Sequence, residues 1–275
     1  MRAPVEFIDT FITRNELGQP FRLAQHQREI LRAGFTFDEA GRLAYTTFTY
    51  SEPKKSGKTT LVAAVTVWWA YTQEPPNTIF IVANDLDQAR SVTFKTICGL
   101  IEQNPRLRES AEVLATEIKL SNGTVIKAIP SDYVGAAGSN HGLVVHDELW
   151  GSISEPSQRL WEELTPVPTR RNSIRLIATY AGFTGESELL WRLYLQGVGP
   201  EEHPDGRGRR IHDALPIYAN PEARLFRMTA DSCRRGSVHV TVRDPRRRPI
   251  TLETAKALGL TIPPLFLLRA DEVIE

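Results

Sequence analysis

The chain has 275 residues, 41% of them hydrophobic and 24% charged, enough for one large globular core or one domain with an appendage. Its 33 Lys and Arg balance its 33 Asp and Glu, so overall basicity does not recruit nucleic acid and any DNA contact must come from a local patch. The two cysteines, Cys98 and Cys233, exclude a disulfide framework and suit a reducing cytosol; no signal peptide is legible, and the longest apolar run, Leu61 to Tyr71, is too short for a bilayer.

Taken in order, Val5 to Ile12 and Gln25 to Ala33 have helical spacing. Leu43 to Tyr50 reads as the first strand, and Leu61 to Tyr71 as a helix. Thr78 to Ala83 is a buried strand, followed by a helix over Asp85 to Glu102 with Asp85 as N-cap. Glu117 to Leu120 and Val125 to Ile129 flank Ser121-Asn122-Gly123, a hairpin signal. Leu143 to His146 is a short apolar strand running into Asp147-Glu148. Ser173 to Tyr180 is a further strand and Glu186 to Leu195 a further helix. Strands alternating with helices predict an α/β fold, with a mostly parallel sheet and helices on both faces. After Gly197 the texture changes: Gly199 to Arg210 is rich in Gly, Pro and charge and reads as a loop.

Three segments carry chemistry. Between the first strand and its helix lies Glu52-Pro53-Lys54-Lys55-Ser56-Gly57-Lys58-Thr59-Thr60. Strand, Gly-Lys-Thr loop and helix are the layout of a P-loop, although Glu52 stands where its first glycine is usual. Residues from Pro53 to Thr60 would then cradle phosphates. Gly57 permits close backbone approach, Lys58 reaches the β- and γ-phosphates, and Thr59 ligates Mg²⁺. A lysine-rich surface turn would also produce this segment. Second, an apolar strand ending in Asp147-Glu148 is a Walker B arrangement, with Asp147 on the metal and Glu148 polarising the attacking water. A solvated acidic turn is the alternative. Third, the strand through Ile174 to Thr179 ends in a small hydroxyl, and Thr179 is the candidate sensor of the γ-phosphate.

Together these segments resemble the ATPase domain of phage terminase large subunits. The match rests on Pro53-Lys54-Lys55-Ser56-Gly57-Lys58-Thr59, on Ser131 to Gly151, and on Thr179-Tyr180-Ala181-Gly182, which is similar to that family's coupling motif. Pro20 to Leu23 with Gln27 resembles its adenine-reading segment, with Gln25 as the second choice. The resemblance spans about residues 5 to 225. It implies a P-loop NTPase of the additional-strand, catalytic-glutamate type, with a further strand between the two phosphate-site strands. It also implies ATP and Mg²⁺ as cofactors, with Lys54, Lys58, Glu148 and Thr179 in the reaction. Many members carry arginine where this chain has Lys54, so a trans arginine is implied, with Arg170 or Arg171 as candidates, unless these are plain surface charge.

The implied organisation is an ATPase domain over 1–222, its first 40 residues an adenine-side subdomain, and a tail over 223–275 without a nuclease domain. Pro249 to Glu275 is similar instead to the C-terminus of ABC-transporter substrate-binding proteins, which suggests a chimeric or truncated frame; a natural C-terminal helix is the other reading. The implied function is translocation of double-stranded DNA into a procapsid. The implied partners are DNA held by its phosphate backbone, a small terminase subunit, a portal ring and sister subunits in a homo-oligomeric ring. The implied location is the host cytoplasm, with no membrane contact. A helicase-like or repair ATPase, or an inactive remnant, are the alternatives.

Overall fold

Two amphipathic helices open the chain, α1 (Pro4–Phe11) and α2 (Gln25–Gly34), each with its apolar residues three and four apart. The computed structural model describes residues 3–52, 56–83, 90–130, 138–180, 182, 186–229, 242–243 and 249–250. The first strand is shorter than expected: β1 is Thr47–Ser51, while Leu43 makes only an isolated bridge to Phe37. Helix α3 (Lys58–Thr72) begins at Lys58 and is buried along most of its length, so it lacks a polar face. Strand β2 (Thr78–Ala83) falls where its β-branched run predicts. The following helical stretch is described only from Arg90. It starts with a π-helical turn, Arg90–Phe94, and continues as α4 (Lys95–Glu102); the Asp85 cap lies outside the described residues.

A short helix α5 (Pro105–Arg108) leads into β3 (Ala111–Val113), β4 (Glu117–Leu120) and β5 (Val125–Pro130). The predicted β4–β5 hairpin is present, its turn held by Gly123 at φ 86°, a left-handed conformation that favours glycine. Then come β6 (His141–Asp147), α6 (Glu155–Glu163), β7 (Ile174–Thr179) and α7 (Glu188–Gly197). Sequence periodicity alone had not indicated α6, whose Ser154 N-cap accepts the Ser157 N–H at 3.3 Å. Strands β8 (Arg209–Arg210), β9 (Ile217–Asn220) and β10 (Leu225–Thr229) complete the main sheet.

Among the described residues that sheet has ten strands in the order β3-β4-β5-β2-β6-β7-β1-β10-β9-β8. Its centre, from β5 to β10, is parallel, and antiparallel strands extend both edges. Strand β7 lies between β1 and β6, as the resemblance implied. Strand β10 pairs with β1 along all five of its residues. The sheet therefore runs past residue 222, where the sequence suggested a boundary. Alternation gives each strand two apolar faces. One packs against α1 to α4 through Phe48, Ile79, Val145 and Trp68. The other packs against α6 and α7 through Val144, Leu160, Ile177 and Leu193.

Candidate nucleotide site

The site lies at the carboxyl edge of the parallel strands. In a parallel sheet all strand ends carrying loops out of that edge converge, so the ends of β1, β6 and β7 meet the start of α3. Ser51 of β1 is in register with Thr179 of β7, and Ala178 with Asp147 of β6. The main chain tightens this junction further. Glu52 N–H donates to the Thr179 carbonyl at 3.2 Å, and Glu148 N–H to the Ala178 carbonyl at 2.7 Å. Thus β7 ties the segments after β1 and β6 to one strand end.

Gly57 precedes α3 with φ 91° and ψ 15°, and a Cβ there would meet nothing within 4 Å. Glycine is needed at this position for its backbone conformation, not for lack of room. Among the described residues no side chain caps α3, so its first N–H groups are not satisfied by a capping residue. Among them the buried Ser56 hydroxyl also has no hydrogen-bond partner. An uncapped 15-residue helix, a left-handed glycine and an orphan hydroxyl fit a bound polyanion. Lys58 is 93% buried on this edge, with its Nζ 5.6 Å from the Tyr180 ring centroid. Thr59 is partly exposed, and the Thr60 hydroxyl turns away to Glu16 Oε2 at 3.5 Å. Pro53, Lys54 and Lys55 lie outside the described residues, as do Ser131 to Ala137 and Ala181.

Asp147 is buried, and its Oδ2 accepts a short hydrogen bond from the Thr93 hydroxyl. Burial pushes its carboxyl above the usual aspartate range, while the Thr93 hydrogen bond and the Lys58 charge act against that rise. Asp147 thus offers a buried carboxylate on this edge, the kind of oxygen ligand a divalent cation takes. Glu148 has φ 56° and ψ 53°, a left-handed conformation rare for a residue with a side chain. Its Oε2 accepts the Trp150 indole N–H at 3.0 Å. Trp150 in turn packs on Tyr180, ring centroids 5.4 Å apart, and its carbonyl accepts the Ser187 hydroxyl at 2.8 Å. The Thr179 hydroxyl donates to the Tyr180 carbonyl at 3.0 Å.

Gln27 is buried beside the end of β1, next to Tyr50. Its Oε1 accepts the Ala24 N–H at 3.0 Å, so the side chain closes the first turn of α2. The neighbouring Tyr50 hydroxyl is pushed well up by burial and by Glu52, which is itself 3.7 Å from His26 Nε2. Gln25, the second choice, is exposed and donates to Glu29 Oε1 at 2.8 Å. The arginine candidates stand at the opposite end of the strands. Arg170 donates to the carbonyls of Glu74, Pro76 and Asn140 at 2.8 to 3.2 Å, and Arg171 Nε is 4.0 Å from Glu74 Oε2.

Sequence reasoning missed Thr93 and gave no role to Trp150 and Tyr180, although both fall within the quoted motifs. Thr93 comes from a π-helical turn with no sequence signature. Trp150 had a weak signal, because it follows the Asp-Glu pair by two residues.

The strand order, with β7 inserted between the loop-bearing β1 and the acidic β6, defines a P-loop NTPase-like fold of the added-strand type. That fold is shared with solved phage large terminases. The HK97 bacteriophage large terminase superposes with a TM-score of 0.57 at 20% identity, over 69% of this chain and 40% of that one. The ATPase domain of the Thermus phage P74-26 large terminase, in a point-mutant form, superposes at 0.53 with 15% identity, over 84% and 86%. The chain thus spans less than half of the HK97 protein. No protein-family model matches the chain, and no curated protein matches it in sequence. The fold is that of a phage large-terminase ATPase domain.

Proposed function

We propose that the chain is the ATP-hydrolysing domain of a DNA-packaging motor. One observation carries this reading: the Asp147-Glu148 pair ends β6 on the same edge as Lys58 and the uncapped start of α3. The α3 amides from Lys58 to Thr60, with Ser56, would hold the phosphates of ATP, and Lys58 would neutralise charge on the β- and γ-oxygens. Thr59 and Asp147 would hold Mg²⁺, which supplies charge neutralisation at the transferring phosphoryl group. Glu148 Oε would accept the proton of the attacking water, and Trp150 orients that carboxylate. Thr179 and the Glu52–Thr179 backbone bond are the route by which phosphate loss would reach β7 and β1. Gln27 would lie at the adenine side, with its amide nitrogen as the remaining donor. Lys54 and Lys55 are proposed at the phosphates on the resemblance alone.

The terminase-like fold and the coupling-motif resemblance support double-stranded DNA as the substrate of motion. DNA would be gripped by its phosphates, since a motor must ignore sequence. A small terminase subunit, a portal ring and sister copies in a ring are the proposed partners. Host cytoplasm, with transient docking on a procapsid, is the proposed location; no described helix is long and apolar enough to cross a membrane.

Steady-state ATP hydrolysis by the purified chain tests the reading. Lys58→Ala and Glu148→Gln should each lower the rate by about 10²-fold or more. Hydrolysis untouched by both changes would remove this mechanism. On forked DNA the chain should hydrolyse ATP without displacing a strand, and unwinding would point to a helicase instead.

A further inference from the structure

A groove of about 390 Å³ opens on the α6–α7 face of the sheet, at the end of the strands away from the phosphate loop. Its floor is one register row: Arg175 of β7, Thr47 of β1 and Leu225 of β10. In-register residues of parallel neighbours project to the same face, so alternation alone brings these three together. Trp161 of α6 forms one wall, and Arg192 and Gln196 of α7 the other.

Arg175 is 92% buried. Its Nε donates to the Leu164 carbonyl at 3.0 Å, and its Nη2 to the Trp161 carbonyl and to Thr165 Oγ1, the latter at 3.1 Å. Two of these acceptors are carbonyls at the end of α6, so the guanidinium is locked by one edge, and Nη1 carries none of the three bonds. One face of the guanidinium covers the Trp161 ring at 4.0 Å from its centroid. Burial and the charge of Arg192 pull the Arg175 guanidinium down to about 10, against a weaker opposing pull from Glu162. Among the described residues lining the groove none is acidic. Two guanidiniums therefore face a half-enclosed space with two polar side chains, Thr47 and Gln196, and no counter-charge on its walls.

We infer that the α6–α7 groove binds a phosphate group, borne by a small phosphorylated molecule or by a nucleic-acid backbone. A tetrahedral dianion satisfies two guanidiniums at once and has oxygens left for the hydroxyl and the amide. Arg175 is the preset half of the site, because its rotamer is fixed before any ligand arrives. Arg192, exposed on α7, is the half that closes on the ligand.

The test uses the full chain carrying Lys58→Ala, so that binding at the phosphate loop is suppressed. Inorganic phosphate and a short DNA duplex are titrated separately by calorimetry. Adding Arg192→Glu should weaken binding by about ten-fold or more, the loss expected for a charge-assisted contact turned repulsive. Because Arg192 is exposed, the variant should keep its circular dichroism spectrum and unfolding midpoint. Loss of phosphate binding alone would identify a small ligand, and loss of duplex binding would identify the backbone. Equal binding with and without Arg192→Glu, or no binding of either probe to the Lys58→Ala chain, would overturn the inference.

Discussion

Glu148 combines, in one residue, an unfavourable backbone conformation with a carboxylate held at the candidate site. Its left-handed backbone costs on the order of 1 kcal/mol for a residue with a Cβ, and its carboxylate is held by an indole N–H at 3.0 Å. Glu148→Gly should therefore abolish hydrolysis yet leave the chain as stable or roughly 1 kcal/mol more stable, as read from urea midpoints. A lower midpoint would mean that the Trp150 contact outweighs the strain. Trp150→Phe keeps the ring and deletes the donor. Without that hydrogen bond the Glu148 carboxylate loses the partner that fixes its orientation. The kcat should then fall several-fold, with KM little changed. A merely structural tryptophan would lower the folding midpoint and leave kcat in place.

At the scale of elements, β10 bears on where the folded unit ends. Leu225, Phe226 and Met228 are buried, and the Phe226 ring lies 5.8 Å from Phe48 and 5.6 Å from Tyr45. Burying each such side chain contributes roughly 1.5–3 kcal/mol, a large share of a typical net stability of about 5–15 kcal/mol. A chain ending at Arg224 should lose cooperative thermal unfolding, and native-like unfolding of that chain would show β10 to be dispensable. Helix α3 belongs to the same scale. Its N-terminus has no capping side chain, so the helix that anchors the core also leaves its amides facing the candidate site.

Across the molecule, the α6 side of the sheet buries a histidine as well as apolar side chains. His141 is 98% buried against Phe80, its Nδ1 2.9 Å from the Ser139 hydroxyl, and burial and the Arg175 charge hold its pKa below the usual histidine range. The sign follows from linkage. Below about pH 6.5 the unfolded chain takes up a proton at this histidine that the folded chain refuses, so stability falls as pH drops through that point. Melting temperature should decline from neutral pH toward pH 5, and His141→Phe should shrink that decline. An unchanged slope would place the acid sensitivity elsewhere.

Read from the sequence, the ends of β2, the β4–β5 hairpin and α1 and α2 were legible because periodicity and turn residues are local properties. So were Lys58, Asp147 and Glu148, since a P-loop and an acidic strand end are written in adjacent residues. Helix α6 escaped because Pro156 and a polar first turn hide its period. Strand β10 escaped because its five residues are buried on both faces and resemble any short apolar run. Thr93 reaches Asp147, and Arg175, Thr47 and Leu225 form one row, only through pairings between segments distant in sequence. The chain alone thus named the residues of the candidate site. The sheet order decided which of them meet, because β7 had to enter between β1 and β6 before the strand ends could converge on α3.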